Sequence, residues 1–134
     1  MKITVIDGHG GMLGAQLVRE ITLKIEDAEI TAVGTNAVAT AAMLKAGAHK
    51  AATGENPVIV ACRKSDVIIG PVGIVVADSL SGEVTPKMAV AVGQSDATRI
   101  LIPMNKCENL IAGVKNITTG ELIEDVLEKL KNLI

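Results

Sequence analysis

Short apolar runs alternate with amphipathic stretches along the chain, and their periods predict strands alternating with helices. Segment 3–7 (ITVID) is rich in β-branched residues and apolar on both faces, as is typical of a central parallel strand. Leucine or isoleucine then recurs at every fourth residue from Leu13 to Ile25, which predicts a helix through about Glu26. Further strands are predicted at 29–34, 50–54, 66–70, 98–103 and 110–114. Further helices are predicted at 36–48, at 55–66, in two pieces within 71–95 that are separated by a break near Ser81 and Gly82, and from Thr118 onward.

Capping residues place the beginnings of these helices. Asn36 and Asn56 are predicted N-caps, because their side chains can accept a hydrogen bond from the first helical turn. Thr85, which precedes a proline, is predicted to begin the second piece of 71–95. Thr118 and Glu121 have the spacing of a capping box and predict the start of the last helix.

The order of these elements predicts an α/β protein with a three-layer, Rossmann-like, doubly wound sheet. About six strands are expected, mostly parallel, because nearly every strand is followed by a helix. Segment 110–114 is reached without a helix and is expected to form an antiparallel edge. With 134 residues and neither linker nor repeat, the chain is expected to be a single domain, 1–134.

Four glycines lie between the first predicted strand and the first predicted helix. Glycine lets a ligand approach the backbone closely, and a helix N-terminus favours an anion, so this context predicts a phosphate site. The common dinucleotide fingerprint needs a glycine where Leu13 stands, so the loop fits G-x-x-G-x-x-G instead. A tight strand-to-helix turn without a ligand is the alternative. The predicted cofactor-binding residues of the loop are Gly8, His9, Gly10, Gly11, Met12, Leu13 and Gly14.

Two features argue against an ordinary NAD site. A dinucleotide site has an acidic residue about 20 residues after the loop for the ribose hydroxyls, whereas segment 31–40 has no acid and no Arg or Lys. Thr35 and Asn36 are the predicted cofactor contacts there, with a helix cap as an equally supported alternative. Asp7, a weak candidate catalytic residue, would repel a pyrophosphate unless it accepts hydrogen bonds from loop N–H groups or binds a metal.

Other residues at the same predicted sheet edge support weaker hypotheses. Gly70 and Pro71 belong to a second glycine turn and are predicted cofactor contacts, with tight packing against the sheet as the alternative. Asn105, Lys106 and Cys107 are weak candidate catalytic residues, because a lysine can lower the pKa of a neighbouring thiol. A polar turn around a half-buried cysteine is the favoured alternative. No arrangement of residues predicts a metal site.

Composition narrows the expected partners and location. The chain has no Phe, Tyr or Trp, a formal net charge of −2 and no basic run, so binding to nucleic acid is not expected. The longest apolar run, 67–77, is too short and too broken to span a bilayer, so no membrane partner is expected. Cys62 and Cys107 lack a metal or redox spacing and are typical of a reducing compartment, which predicts a cytoplasmic protein.

The apolar content predicts a homo-oligomer, most simply a dimer. Only 21% of the residues are charged, and the mean hydropathy is +0.42. A chain of this size has much surface for its volume, so part of its apolar content is expected outside the core. Segment 71–93 is the predicted interface, because its two pieces are apolar nearly all round.

Five stretches are distinctive in combination: VIDGHGGMLG (5–14), GTNAVATAAMLKAGA (34–48), ATGEN (52–56), IIGPVGIVVADSLSGEVTP (68–86) and ILIPMNKC (100–107). Together they resemble a small bacterial family that is described only as a domain of unknown function. The resemblance extends over nearly the whole chain and implies a Rossmann-like fold. It supplies no activity and no substrate.

Three functional hypotheses remain open. The chain binds a nucleotide or dinucleotide, with NAD or NADP as the cofactor of an oxidoreductase, or it binds a phosphorylated metabolite without chemistry. Alternatively, it is an interaction subunit whose glycine loop is purely structural. The sequence does not decide whether the protein is an enzyme, and a dehydrogenase this short would need a partner subunit to close its cleft.

Overall fold

Five parallel strands form the sheet of this protein, whose computed structural model describes residues 1–104 and 109–134. The strands are β1 (Lys2–Asp7), β2 (Glu29–Gly34), β3 (Lys50–Thr53), β4 (Val67–Pro71) and β5 (Thr98–Ile102). The helices are α1 (Met12–Lys24), α2 (Ala37–Lys45), α3 (Glu55–Lys64), α4 (Pro86–Gln94) and α5 (Thr119–Asn132), and a 3-10 turn spans Val72–Val75. The spatial order of the strands is β3-β2-β1-β4-β5.

Apolar side chains on both faces of the sheet are covered by helices. On one face, α1, α2 and α5 contribute buried residues to a cluster that includes Val5 and Ile30 of the sheet. On the other face, α3 and α4 contribute to a second cluster that includes Ile6 and Val33. The predicted three-layer, doubly wound α/β architecture is therefore confirmed, with five strands in the described residues instead of about six.

The strand order places β1 between β2 and β4. From β1 the chain adds β2 and β3 on one side, and it then returns to add β4 and β5 on the other. The carboxyl ends of β1 and β4 are consequently side by side where the direction of winding reverses. In open α/β sheets this switch point forms the crevice in which ligands bind. The glycine loop follows β1 directly, so it lies at this crevice.

Segment 110–114 is not a strand, so the prediction of an antiparallel edge there is wrong. Gly113 has φ +85° in a turn where the N–H of Val114 donates to the carbonyl of Ile111 at 3.3 Å. Leu110 is 96% exposed. An apolar run becomes part of a sheet only where it pairs with a neighbouring strand. Among the described residues this segment has no such pairing. That absence of a partner cannot be predicted from a short apolar run.

Two other local predictions need correction, while three caps are confirmed. Helix α3 begins at Glu55 with Gly54 as its N-cap, so Asn56 lies inside the helix. The first piece of 71–95 is a short 3-10 turn followed by non-helical turns, because several residues there adopt φ values near +60° that end a right-handed helix. The caps at Asn36, Thr85 and Thr118 are confirmed, the last as a complete capping box.

Candidate functional site

Asp7 organises the loop at the crevice. It ends β1 and is buried. Its Oδ1 accepts a hydrogen bond from the N–H of Gly8 at 2.8 Å, and its Oδ2 accepts one from the N–H of Gly14 at 2.7 Å. Burial raises the pKa of Asp7, and these two N–H groups oppose that shift by stabilising the carboxylate. Asp7 therefore holds the two ends of the loop together without a ligand.

Three of the four loop glycines are explained by close packing inside the protein. A Cβ at Gly8 would meet the Thr35 hydroxyl and the side chain of Leu80, and one at Gly14 would lie 2.5 Å from Met43 Sδ. Gly11 has φ +73°, and a Cβ there would lie 2.6 Å from the Cα of Ala39, in the backbone of α2. The number of glycines in the loop is therefore not in itself evidence for a ligand.

Gly10 differs from the other three glycines. The nearest atom to a Cβ at Gly10 is Met12 Cγ, at 4.0 Å. Neither packing nor a left-handed backbone requires glycine at this position, and the residue is exposed. Gly10 is consequently the loop position at which a side chain can be added with least effect on the fold.

Glu83 reaches the crevice from the segment between β4 and α4. Its Oε1 accepts hydrogen bonds from the N–H of His9 at 3.0 Å, the hydroxyl of Thr35 at 2.7 Å and the amide of Asn36 at 2.7 Å. We call these three donors the cradle. They come from the ends of two neighbouring strands, β1 and β2, and they converge on one carboxylate oxygen. The cradle therefore holds an anionic group, and in this structure that group belongs to the protein itself.

Hydrogen bonding keeps Glu83 ionised in this position. Partial burial favours its neutral form, but the bonds from Thr35, Asn36 and the His9 N–H outweigh burial and lower the pKa of Glu83. The imidazole Nε2 of His9 lies 3.8 Å from Glu83 Oε2, so a protonated His9 would add to this effect. The cradle is thus matched to a negative charge.

Asn36 both caps α2 and donates hydrogen bonds at the crevice. Its Oδ1 accepts a hydrogen bond from the N–H of Ala39 at 2.9 Å and caps α2. Its Nδ2 donates to the carbonyl of His9 at 2.8 Å as well as to Glu83. Asn36 therefore ties the glycine loop, the start of α2 and Glu83 together.

Gly70 and Pro71 lie at the carboxyl end of β4, beside the carboxyl end of β1, and both are buried. A Cβ at Gly70 would collide with the carbonyl oxygen of Ile6 and would lie 3.0 Å from Ile74 Cδ1. The packing alternative explains this glycine. Gly70 and Pro71 therefore lie next to the end of β1, and neither has a polar side chain for a ligand.

The remaining candidates do not join the crevice. Asn105, Lys106 and Cys107 lie outside the described residues. Cys62 is buried, and burial raises the pKa of its thiol to about 11, which favours the neutral thiol over the nucleophilic thiolate. Across residues 1–104 and 109–134, no group of His, Cys, Asp or Glu is arranged to hold a metal ion. In the same residues, no helix combines the length and apolar content that crossing a bilayer requires.

Sequence reasoning missed Glu83 and Leu80. Leu80 is buried against Gly8, and Glu83 contacts a residue 74 positions earlier in the chain. Both belong to a segment whose pattern predicts helix. The break near Gly82 is the one sequence feature that indicates an irregular turn there, and it gives no indication of the contact with the glycine loop.

A sizeable cavity lies away from this site. It measures about 630 Å³, lies between α3 and α4, and includes Cys62, Pro86 and Val90 in its wall. No residue of the glycine loop lines it. At the switch point, Leu80 and Glu83 fill the space next to Gly8 in which a ligand would be expected.

Comparison with known proteins identifies the family. Residues 2–134 match a family described as a domain of unknown function (DUF3842). The chain belongs to the DUF3842 family. No curated protein and no solved structure matches the DUF3842 chain. The family description names no activity, so a functional interpretation depends on the residues at the crevice.

Proposed function

We propose that this DUF3842 chain binds a small phosphate-bearing ligand, a nucleotide or a dinucleotide such as NAD or NADP, in the crevice at the carboxyl end of β1. The observation that supports the proposal is the cradle, in which three donors from two strand ends converge on one anionic oxygen. A phosphate oxygen has the same charge and hydrogen-bonding needs as that carboxylate oxygen. The strand ends at a switch point are also where such ligands bind in this fold.

The N-terminus of α1 adds to the anion-binding chemistry. Gly11 is its N-cap, and no side chain caps it. In the described residues the N–H groups of Met12 and Leu13 have no hydrogen-bond acceptor, whereas that of Gly14 is used by Asp7. Free N–H groups at the positive end of a helix dipole favour a phosphate.

Two exposed apolar side chains lie near the crevice and suit the uncharged part of a nucleotide. Met12 begins α1 and is 70% exposed, and Val38, in the first turn of α2, is 67% exposed. The starts of these helices approach each other at Gly11 and Ala39. A ligand whose phosphate entered the cradle could place a base or nicotinamide against this apolar rim. The same contacts would serve a module that senses a phosphorylated metabolite without chemistry.

A purely structural loop in an interaction subunit is the second candidate function. It is favoured by the packing of Gly8, Gly11 and Gly14, which accounts for those glycines without a ligand. In that case Glu83 completes the hydrogen bonding of the loop permanently.

Ligand-induced stabilisation of Gly10 variants distinguishes the two functions. We expect NAD, NADP, ATP or coenzyme A to raise the melting temperature of the wild type, because a ligand that binds only the folded state stabilises it. Gly10→Asp should abolish this rise by repelling the phosphate. Gly10→Asn, its neutral counterpart of the same size, should retain most of it. No rise with any of these ligands at millimolar concentration, in the wild type and in Glu83→Gln alike, would overturn the proposal.

Four broader proposals accompany this function. The chain acts as one domain in the cytoplasm, as a homodimer, and without nucleic acid or membrane as a partner. Bacterial origin likewise stays a prediction from the resemblance.

Of the predicted interface 71–93, Ile74, Leu80 and Val84 are buried in the protein's own core, so they do not support a dimer contact. Val90 on α4 is 52% exposed, and the dimer proposal now depends on this part of the segment.

A further inference from the structure

Residues 76–84, which we call the plug, form a compact unit between β4 and α4. Its hydrogen bonds are mostly internal: the N–H of Asp78 donates to the carbonyl of Val84 at 2.7 Å, and that of Gly82 donates to the carbonyl of Asp78 at 3.2 Å. The hydroxyl of Ser79 and the N–H of Val76 both donate to the carbonyl of Gly73, at the base of the unit. The shape of the plug is therefore maintained mainly by its own hydrogen bonds.

Glu83 is the polar link between the plug and the crevice. Within the described residues, the side chain of Glu83 is the only group of the plug that is hydrogen-bonded to residues outside 73–84. Loss of that link would leave the apolar packing of the plug, chiefly that of the buried Leu80 and Val84, to hold it in place. Leu80 is also the side chain that fills the space above Gly8, at 2.9 Å from an added Cβ.

The backbone of the plug is strained in its present position. Asp78, Leu80 and Ser81 have φ values of +66°, +54° and +58°, and Gly82 follows at +87°. The left-handed region is unfavourable for residues with a side chain, and especially uncommon for a bulky one such as Leu80. Release of the plug would allow these residues to return to ordinary conformations. The relief of this strain would offset part of the free energy needed to expose Leu80 and Val84.

We propose that the plug is displaceable and that the Glu83 carboxylate occupies the cradle in place of a phosphate of the ligand. This inference rests on the proposed function. The two anions cannot share the cradle, because its donors all meet at a single oxygen and because like charges at hydrogen-bonding distance repel. Ligand binding and plug closure are therefore mutually exclusive. The apparent affinity for the ligand is the intrinsic affinity multiplied by the fraction of molecules in which the plug is open.

Affinity measurements on Glu83→Ala test the competition, with ATP and inorganic phosphate as probes. Removal of the internal carboxylate is expected to tighten the binding of both probes by about tenfold or more. Glu124→Ala, which removes an exposed carboxylate from α5, is the matched control and should bind as the wild type does. Equal affinity of Glu83→Ala and the wild type would overturn the plug while leaving the proposed function intact. Failure of both proteins to bind either probe, and also NAD, NADP and coenzyme A, would overturn the proposed function, and the plug with it.

Hydrogen exchange on the wild type provides a measurement that does not depend on a variant. Saturation with ATP should increase the exchange rate of the amides in 77–84, because the plug leaves the crevice when the ligand enters. A decrease in that rate would mean that the segment closes over the ligand instead, and would overturn the proposal even if Glu83→Ala failed to fold.

Discussion

Two carboxylates, Asp7 and Glu83, use N–H groups of the glycine loop in different ways. Asp7 is buried and takes the N–H groups of Gly8 and Gly14, so it is a permanent part of the loop. Glu83 takes the N–H of His9 together with two side-chain donors, from a segment that is otherwise bonded mostly to itself. At the scale of single residues, the loop therefore has the chemistry of an anion site, and carboxylates of the protein itself accept hydrogen bonds from its N–H groups.

Alanine substitutions at neighbouring glycines should separate the packing role of the loop from its ligand role. Gly11→Ala is expected to lower the free energy of unfolding by about 2 kcal/mol or more, because it combines a left-handed backbone with a collision against α2. Gly10→Ala should change the free energy of unfolding by less than about 1 kcal/mol. Any change should be an increase, because alanine lowers the conformational entropy of the unfolded chain. Urea denaturation measures both, and equal losses would contradict this assignment of roles.

The stability contributed by Glu83 should depend on pH. Because the folded protein lowers the pKa of Glu83, its contribution is present above the ordinary glutamate value of about 4.3 and is lost as the pH falls through the lowered value. At pH 7 we expect the free energy of unfolding of the wild type to exceed that of Glu83→Gln by about 1 kcal/mol. This difference is small because the site is partly exposed. This difference should shrink towards zero below pH 4. The pKa of Asp7 is raised chiefly by burial, and the Glu83 charge is the smallest of its causes, so Asp7 reduces the difference between the two proteins only slightly.

Denaturation of the two proteins in parallel from pH 3 to pH 7 measures that difference directly. A difference that stays constant over this range would show that the charge of Glu83 does not stabilise the fold, and would contradict the ionised cradle.

At the scale of elements, the sequence predicted those features that depend on contacts between residues close together in the chain. The caps at Asn36, Thr85 and Thr118 depend on contacts within three residues, and each is where the sequence placed it. The plug could not be predicted, because its shape depends on left-handed backbone at residues such as Leu80 and on a contact 74 residues away. The alternatives proposed for the glycines, packing or ligand, likewise depend on neighbours such as Ala39 that only the folded chain brings near.

Substitutions of Asn36 should separate its cap from its link to the plug. Asn36→Asp keeps the acceptor for the N–H of Ala39 but loses both donated bonds and faces Glu83 with a like charge. We expect amides in 77–84 to exchange faster in this variant while α2 stays protected. Asn36→Ala removes the cap as well, and it should also lower the free energy of unfolding by about 1 kcal/mol and reduce protection at the start of α2. Identical exchange patterns in the two variants would contradict the double role.

At the scale of the whole molecule, one group of polar contacts between sequence-distant residues lies at the carboxyl edge of the sheet. The loop after β1, the end of β2 and the plug after β4 meet there, as the strand order β3-β2-β1-β4-β5 requires. This convergence of sequence-distant donors could be expected from the predicted fold, whereas the identity of the group they hold could not.

The homodimer stays a prediction that solution mass can test. Light scattering at micromolar concentration should give about twice the monomer mass of 13.8 kDa. If α4 forms the contact, Val90→Asp should shift the protein towards the monomer, because a charge on an apolar interface disfavours association. Leu23→Asp, an equivalent change at an exposed site on α1, is the matched control. A mass near 13.8 kDa for the wild type would rule the dimer out.

Nuclear magnetic resonance titration with ATP tests the anion site most directly, because it reports on each amide separately. In ¹⁵N-labelled wild type and Glu83→Ala, the largest shift changes are expected at the backbone amides of His9, Gly10, Met12 and Leu13 and at the side-chain amide of Asn36. Saturation should occur at a lower ATP concentration in Glu83→Ala. Changes centred instead on the groove between α3 and α4, or no change in either protein at millimolar ATP, would contradict a phosphate site at the glycine loop.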